Sequence, residues 1–152
     1  MLHDFTLAGR RVRLWQRVGE TYEHVLLKAL GFAMFVPVYP NLEIETRLGL
    51  RYTPDLIAVK SNGDYAFWGE CGLNSIRKTH WILKHTRTEK MVLFKHDVSA
   101  GLLIKKIRAE IPEKYRWDGR LRLINFVSDI VNLTADRQIA KVSQEWFEEF
   151  II

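Results

Sequence analysis

Tyr52–Cys71 reads Y-T-P-D-L-I-A-V-K-S-N-G-D-Y-A-F-W-G-E-C, two apolar runs on either side of Asn62-Gly63. Asn-Gly between runs of β-type residues is the strongest short-range hairpin signal, because both residues tolerate the positive φ of a type I′ turn. Pairing Ser61 with Asp64 across a two-residue loop sets Lys60 opposite Tyr65, Ile57 opposite Trp68 and Asp55 opposite Glu70. Opposite residues share one sheet face, with Cβ atoms about 4.5–5.5 Å apart. Two carboxylates 15 positions apart in the chain therefore land side by side. Like charges so placed need a proton, a cation or open water. A solvated hairpin end is the plain solution. A divalent metal on hard oxygen ligands is the chemically useful one. The reading depends on loop length: one residue more or less puts the two carboxylates on opposite faces.

Upstream, Gly19–Phe35 has Leu26, Leu27, Leu30 and Met34 at helical spacing, with Glu20 and Glu23 in the expected first turns. Carboxylates there also favour the helix dipole, which is the plain reading of both. Val12 and Leu14 alternate with Arg11 and Arg13 around Gly9, predicting a strand or hairpin with a solvated, basic face. Leu42–Leu50 reads as a first strand with one wet face, entered between Pro37 and Pro40.

Downstream, Gly72 breaks the strand, and Asn74 or Ser75 can cap a helix to about Thr88 that carries Arg77, Lys78, Lys84 and Arg87. Lys90–Lys95 (K-M-V-L-F-K) reads as a short buried strand between charges. Ser99–Ile111 reads as a basic amphipathic helix with Leu102, Leu103, Ile107 and Ile111 inward. Arg120–Val127 reads as another strand, and Thr134 or Asp136 as the cap of a last helix through Phe150. Three sequential strands followed by a helical crossover indicate an α/β sandwich, a central mixed sheet flanked by helices.

The 152 residues suit one domain, 1–152, and are enough to bury a core without staples. Net charge is +5 and the pI about 9.4, compatible with an acidic partner such as nucleic acid. No apolar run reaches the ~18 residues of a membrane span, Met1–Gln16 has no signal-peptide core, and Cys71 is the sole cysteine. A cytoplasmic protein is expected, without disulfides or a cysteine-based metal site. The five histidines show no zinc-binding spacing, and the glycine patterns of nucleotide loops and of the serine-hydrolase elbow are absent. Cys71 shares a strand face with Phe67 and reads as a small buried residue rather than a nucleophile.

Pro54-Asp55 and Glu70 on successive strands, after a helix carrying Glu20, resemble the PD-(D/E)-x-K nuclease superfamily, whose sandwich is restriction-endonuclease-like. The helix E-T-Y-E-H-V-L-L-K-A-L-G-F-A is similar to the first helix of archaeal Holliday-junction resolvases, which favours Glu20 over Glu23 as its carboxylate. A closer resemblance is to the bacterial YaeQ family. It rests on Glu20-Thr21-Tyr22-Glu23, Pro54-Asp55-Leu56-Ile57, Trp68-Gly69-Glu70-Cys71-Gly72, Ile76-Arg77-Lys78 and, more loosely, Gln138–Ser143.

The resemblance implies a Mg²⁺- or Mn²⁺-dependent phosphodiester hydrolase. Asp55 and Glu70 would hold the metal, with the Cys71 backbone carbonyl as a third ligand and Glu20 completing the shell directly or through water. Gly72 stands where the superfamily motif has lysine. The basic group is then expected from the next helix, Lys78 or its neighbour Arg77, which together with Lys84 form the expected phosphate-binding set. Glu20, Asp55, Glu70 and Lys78 are the candidate catalytic residues. The alternative is a catalytically weak or inactive nuclease fold serving as a nucleic-acid-binding, regulatory or protein-interaction module. Many nucleases of the superfamily are dimers, so a homodimer is compatible, as is a protein partner.

Overall fold

The computed structural model describes residues 1–152. In chain order the strands and helices are β1 (Leu2–Leu7), β2 (Arg10–Trp15), α1 (Tyr22–Phe35), β3 (Glu43–Ile44), β4 (Leu56–Val59), β5 (Tyr65–Cys71), α2 (Ile76–His85) and β6 (Thr88–His96). They continue as α3 (Ala100–Glu110), α4 (Glu113–Arg116), β7 (Leu121–Phe126), α5 (Ile130–Leu133), β8 (Gln138–Ile139) and β9 (Phe147–Ile151). The main sheet has six strands in the order β3-β4-β5-β6-β7-β9. Its centre, β5-β6-β7, is parallel and its flanks are antiparallel, so the expected mixed α/β sheet is present. The basic hairpin around Gly9 also forms, and with β8 it makes a second, three-stranded sheet.

Strand alternation divides the core into two layers. Leu56, Ala58, Phe67, Val92, Phe94 and Ile124 face α1 and the small sheet. Ile57, Trp68, Met91, Leu93 and Leu123 face α2 and α3, whose Ile82, Leu83, Ile104 and Ile107 cover them. Both faces of the central strands are therefore buried, which is why they read as continuous apolar runs.

The hairpin departs from its expected turn. Gly63 N–H donates to Lys60 O, and Lys60 N–H to Asp64 O, so the loop has three residues, Ser61-Asn62-Gly63. Of the Asn-Gly pair only Gly63 has a positive φ, +89°, so the turn is not type I′. Val59, rather than Lys60, lies opposite Tyr65. That one-residue slip would invert the carboxylates, but a bulge restores the register: Ala58 pairs with Phe67 and Ile57 with Trp68, leaving Ala66 as the extra residue.

Other expectations need correction. The strand expected over Leu42–Leu50 is only Glu43–Ile44, because Glu45 turns the chain with a φ of +56°. The second helix ends at His85, and Thr88 already belongs to β6. On α3, Leu102 faces solvent and Ile104 turns inward. The expected last helix is absent. β8 pairs with β1, and β9 pairs with β7, with Phe147 against Phe126 and Glu149 bonded to Arg122. An unpaired ladder on β7 is the stronger attractor here, and it overrides the helical spacing of Ile139, Val142, Trp146 and Phe147. No helix is long and apolar enough to cross a membrane.

Candidate functional site

Asp55 lies just before β4, behind Pro54. The strand ladder stops there, and the Asp55 side chain takes over its next hydrogen bond: Cys71 N–H donates to Asp55 Oδ2 at 2.8 Å. The Asp55 carbonyl still accepts from Glu45 N–H, at 2.9 Å. Glu70, on the next strand, is only 2% exposed. Its Oε1 accepts from Trp68 Nε1 at 3.1 Å, and Lys78 Nζ sits 3.1 Å from Oε1 and 3.2 Å from Oε2. Burial, followed by the adjacent Asp55 charge, pushes Glu70 up to about 7. Burial acts upward on Asp55 as well, but facing His24 and the Cys71 N–H outweigh it and hold Asp55 below the usual carboxylate range. The pair thus titrates in two separated steps, and near neutrality one proton is still partly held.

Glu20 precedes α1 instead of lying in its first turn. Thr21 is the N-cap, its side chain accepting from His24 N–H. Glu20 reaches the site and Glu23 is exposed, so of the two helix carboxylates Glu20 is the one beside Asp55's partner His24. His24 Nδ1 lies 2.5 Å from Glu20 Oε2, and Nε2 lies 3.7 Å from Asp55 Oδ1, a charge contact too long for a hydrogen bond. Asp55, then Glu20, favour the imidazolium and raise His24 against the effect of its burial. Lys28, a further turn along α1 and buried, donates to Glu20 Oε2 at 2.7 Å and also to Glu45.

The remaining expected residues divide. Lys78 turns inward to Glu70 and also lies over the Tyr52 ring. Arg77 and Lys84 are exposed on α2 and line neither cavity beside the carboxylates. Cys71 contributes its N–H to Asp55, and burial raises its thiol well above the ordinary range, so the thiol is no nucleophile. Gly72 has a φ of +72°, and a Cβ there would lie 3.1 Å from the His24 ring, so a lysine at this position would be strained and would crowd His24.

His24, Lys28 and Lys95 were not anticipated. The first two carried a signal: Glu20, His24 and Lys28 recur every fourth residue, which is one helical stripe. Lys95 continues the alternation of Met91 and Leu93 onto the α2 face of β6, where a strand-flanking charge was expected. The cluster stands at the carboxyl ends of β5 and β6, where open α/β sheets place their ligands. No group of three or more His, Cys, Asp or Glu side chains is arranged to hold a metal ion.

No protein-family model matches the chain, and no curated protein matches it. Solved structures share its fold, two YaeQ proteins among them. The YaeQ protein of Xanthomonas axonopodis pv. citri aligns with a TM-score of 0.63 and 21% identity, over 90% of this chain and 80% of that one. The YaeQ protein of Pseudomonas syringae aligns with a TM-score of 0.63 and 16% identity, over 96% of this chain and 89% of that one.

Proposed function

We propose that the chain is a PD-(D/E)-x-K-type hydrolase that cleaves nucleic-acid phosphodiesters with Mg²⁺ or Mn²⁺. The observation that carries this reading is the Asp55–Glu70 pair, two adjacent carboxyls of which Glu70 is buried and Asp55 lines a cavity with Glu20 and His24. A pair that retains a proton near neutrality is a pair short of one positive charge. Mg²⁺ is commonly bound through one or two carboxylates, with waters and substrate phosphate completing the octahedron. Two hard-oxygen ligands fit that habit even without a third acidic side chain. Asp55 and Glu70 would hold the ion, with Glu20 reaching it directly or through water. When bound, the ion would acidify a coordinated water and polarise the phosphate. Around it, Lys78 offsets the Glu70 charge, the Cys71 N–H orients Asp55, and His24 and Lys28 fix Glu20.

A second reading, a nucleic-acid-binding or regulatory module on the same fold, is favoured by one specific observation. Both Glu70 oxygens already accept from Lys78 or Trp68, and almost none of Glu70 reaches solvent. Cleavage of single- and double-stranded DNA and RNA in Mn²⁺ separates the two readings. The hydrolase reading expects metal-dependent cleavage that falls at least ~100-fold in Asp55→Ala and Glu70→Gln, the scale of losing an electrostatic catalytic group. Cleavage by the variants at the wild-type rate would refute it. Salt-sensitive binding without cleavage would select the module.

A further inference from the structure

Lys95 is 7% exposed, near the carboxyl end of β6. Its ammonium donates to the Gly72 carbonyl and, at 2.8 Å, to Asn74 Oδ1. Asn74 is itself oriented by donating its amide N–H to Thr79 Oγ1 at 2.9 Å, which aims Oδ1 at Lys95. Both partners of Lys95 are neutral. The other two enclosed lysines of the site differ: Lys28 is paired with Glu20 and Glu45, and Lys78 with Glu70. A nearly buried ammonium whose hydrogen-bond acceptors are all neutral has given up its hydration without a directly bonded counter-charge. An ammonium has three donors, and two of them are accounted for. Lys95 lines a cavity of about 520 Å³ with Glu20, His24, Gly72, Asn74 and His96, so the cavity adjoins the carboxylate cluster.

We propose that Lys95 is the anion-binding group of this cavity and receives a phosphate group of the ligand through its remaining N–H. The loop Gly72–Asn74 holds the ammonium in place, and the cavity gives the anion access from solvent. The inference rests on the hydrolase reading for the identity of the ligand as a phosphodiester, while the anion site itself stands on geometry alone. A buried charge matched by a bound phosphate is worth more than the same pair in water, so removing it has a large effect on binding.

The test is titration of metal-free protein with inorganic phosphate, followed by the ¹⁵Nζ signals of its lysines. The expected result is a saturable shift of the Lys95 signal, together with at least ~10-fold weaker phosphate binding in Lys95→Met, while Lys141→Met, at an exposed lysine outside the cavity, binds within about twofold of wild type. A Lys95 signal that does not respond to phosphate overturns the proposal, and this arm needs no variant to fold. Equal phosphate affinity in wild type and a folded Lys95→Met overturns it equally. Because no turnover is measured, the outcome is separate from that of the cleavage assay. Phosphate binding without cleavage retires only the hydrolase reading, and cleavage with a silent Lys95 signal retires only the anion site.

Discussion

Trp68→Ala is expected to lower the free energy of unfolding by about 4 kcal/mol, the range for removing a fully buried large aromatic. Trp68 is the largest side chain with no measurable exposure, and it sits on the α2 face of the sheet beside Ile57 and Leu93. Its ring meets Tyr65 edge-on, with centroids 5.6 Å apart. Both faces of this part of the sheet are covered, so the cavity left by truncation cannot collapse against solvent. Trp68 is also a polar residue of the site, because its N–H supports Glu70. Trp68→Phe keeps most of the apolar volume and deletes that donor, so it separates the two roles. It should cost about 1–2 kcal/mol, the cost of leaving a buried acceptor short of one bond. Urea unfolding of the three proteins measures both values. Equal losses in Trp68→Ala and Trp68→Phe would mean that packing at this position contributes little.

Glu70 gives the second large effect, through pH. Its carboxyl titrates at about 7 in the folded chain, against 4.5 for the ordinary group. The folded state therefore binds more protons than the unfolded state between those values. The contribution is fully present below pH 4.5 and is lost as pH rises through 7, a loss of about 3 kcal/mol. Asp55 acts in another window and with the opposite sign. Its depressed pKa contributes stability above the ordinary value of 3.8, which is lost as pH falls. His24, raised from 6.5, shares the direction of Glu70, and its contribution fades as pH climbs through its folded value. Glu70→Gln isolates the Glu70 share. Between pH 5 and pH 8, wild type should lose about 3 kcal/mol more than Glu70→Gln does. Parallel pH profiles for the two proteins would show that Glu70 is not held protonated.

The central strands were legible in the sequence because their two buried faces leave continuous apolar runs, and the Asp55–Glu70 juxtaposition was legible because register propagates from the hairpin. The route to that register was not. The Ser61–Gly63 loop is one residue longer than expected, and only the bulge at Ala66 brings Ile57 back opposite Trp68. Two local departures cancel, and neither is visible without the sheet that selects them. The C-terminal segment failed for the opposite reason. Gln138–Ile151 has helical spacing, but its conformation is decided by β1 and β7, more than 130 and about 25 residues upstream of their respective partners β8 and β9. At the site, Asp55 and Glu70 were read from the hairpin register, and Glu20 and Lys78 from motif resemblance, whereas His24, Lys28 and Lys95 were not read. Lys95 reads as a strand-flanking charge, and only packing turns it and Lys28 inward.

On the hydrolase reading, Asp55 and Glu70 form a divalent-cation site. Its most direct test is calorimetric titration of Mn²⁺ into wild type and Asp55→Ala at neutral pH, with the fold of the variant verified by circular dichroism. Binding at a single site in wild type, absent from Asp55→Ala, is the predicted result. Mn²⁺ binding of equal strength in both proteins, or no binding in either, would contradict it.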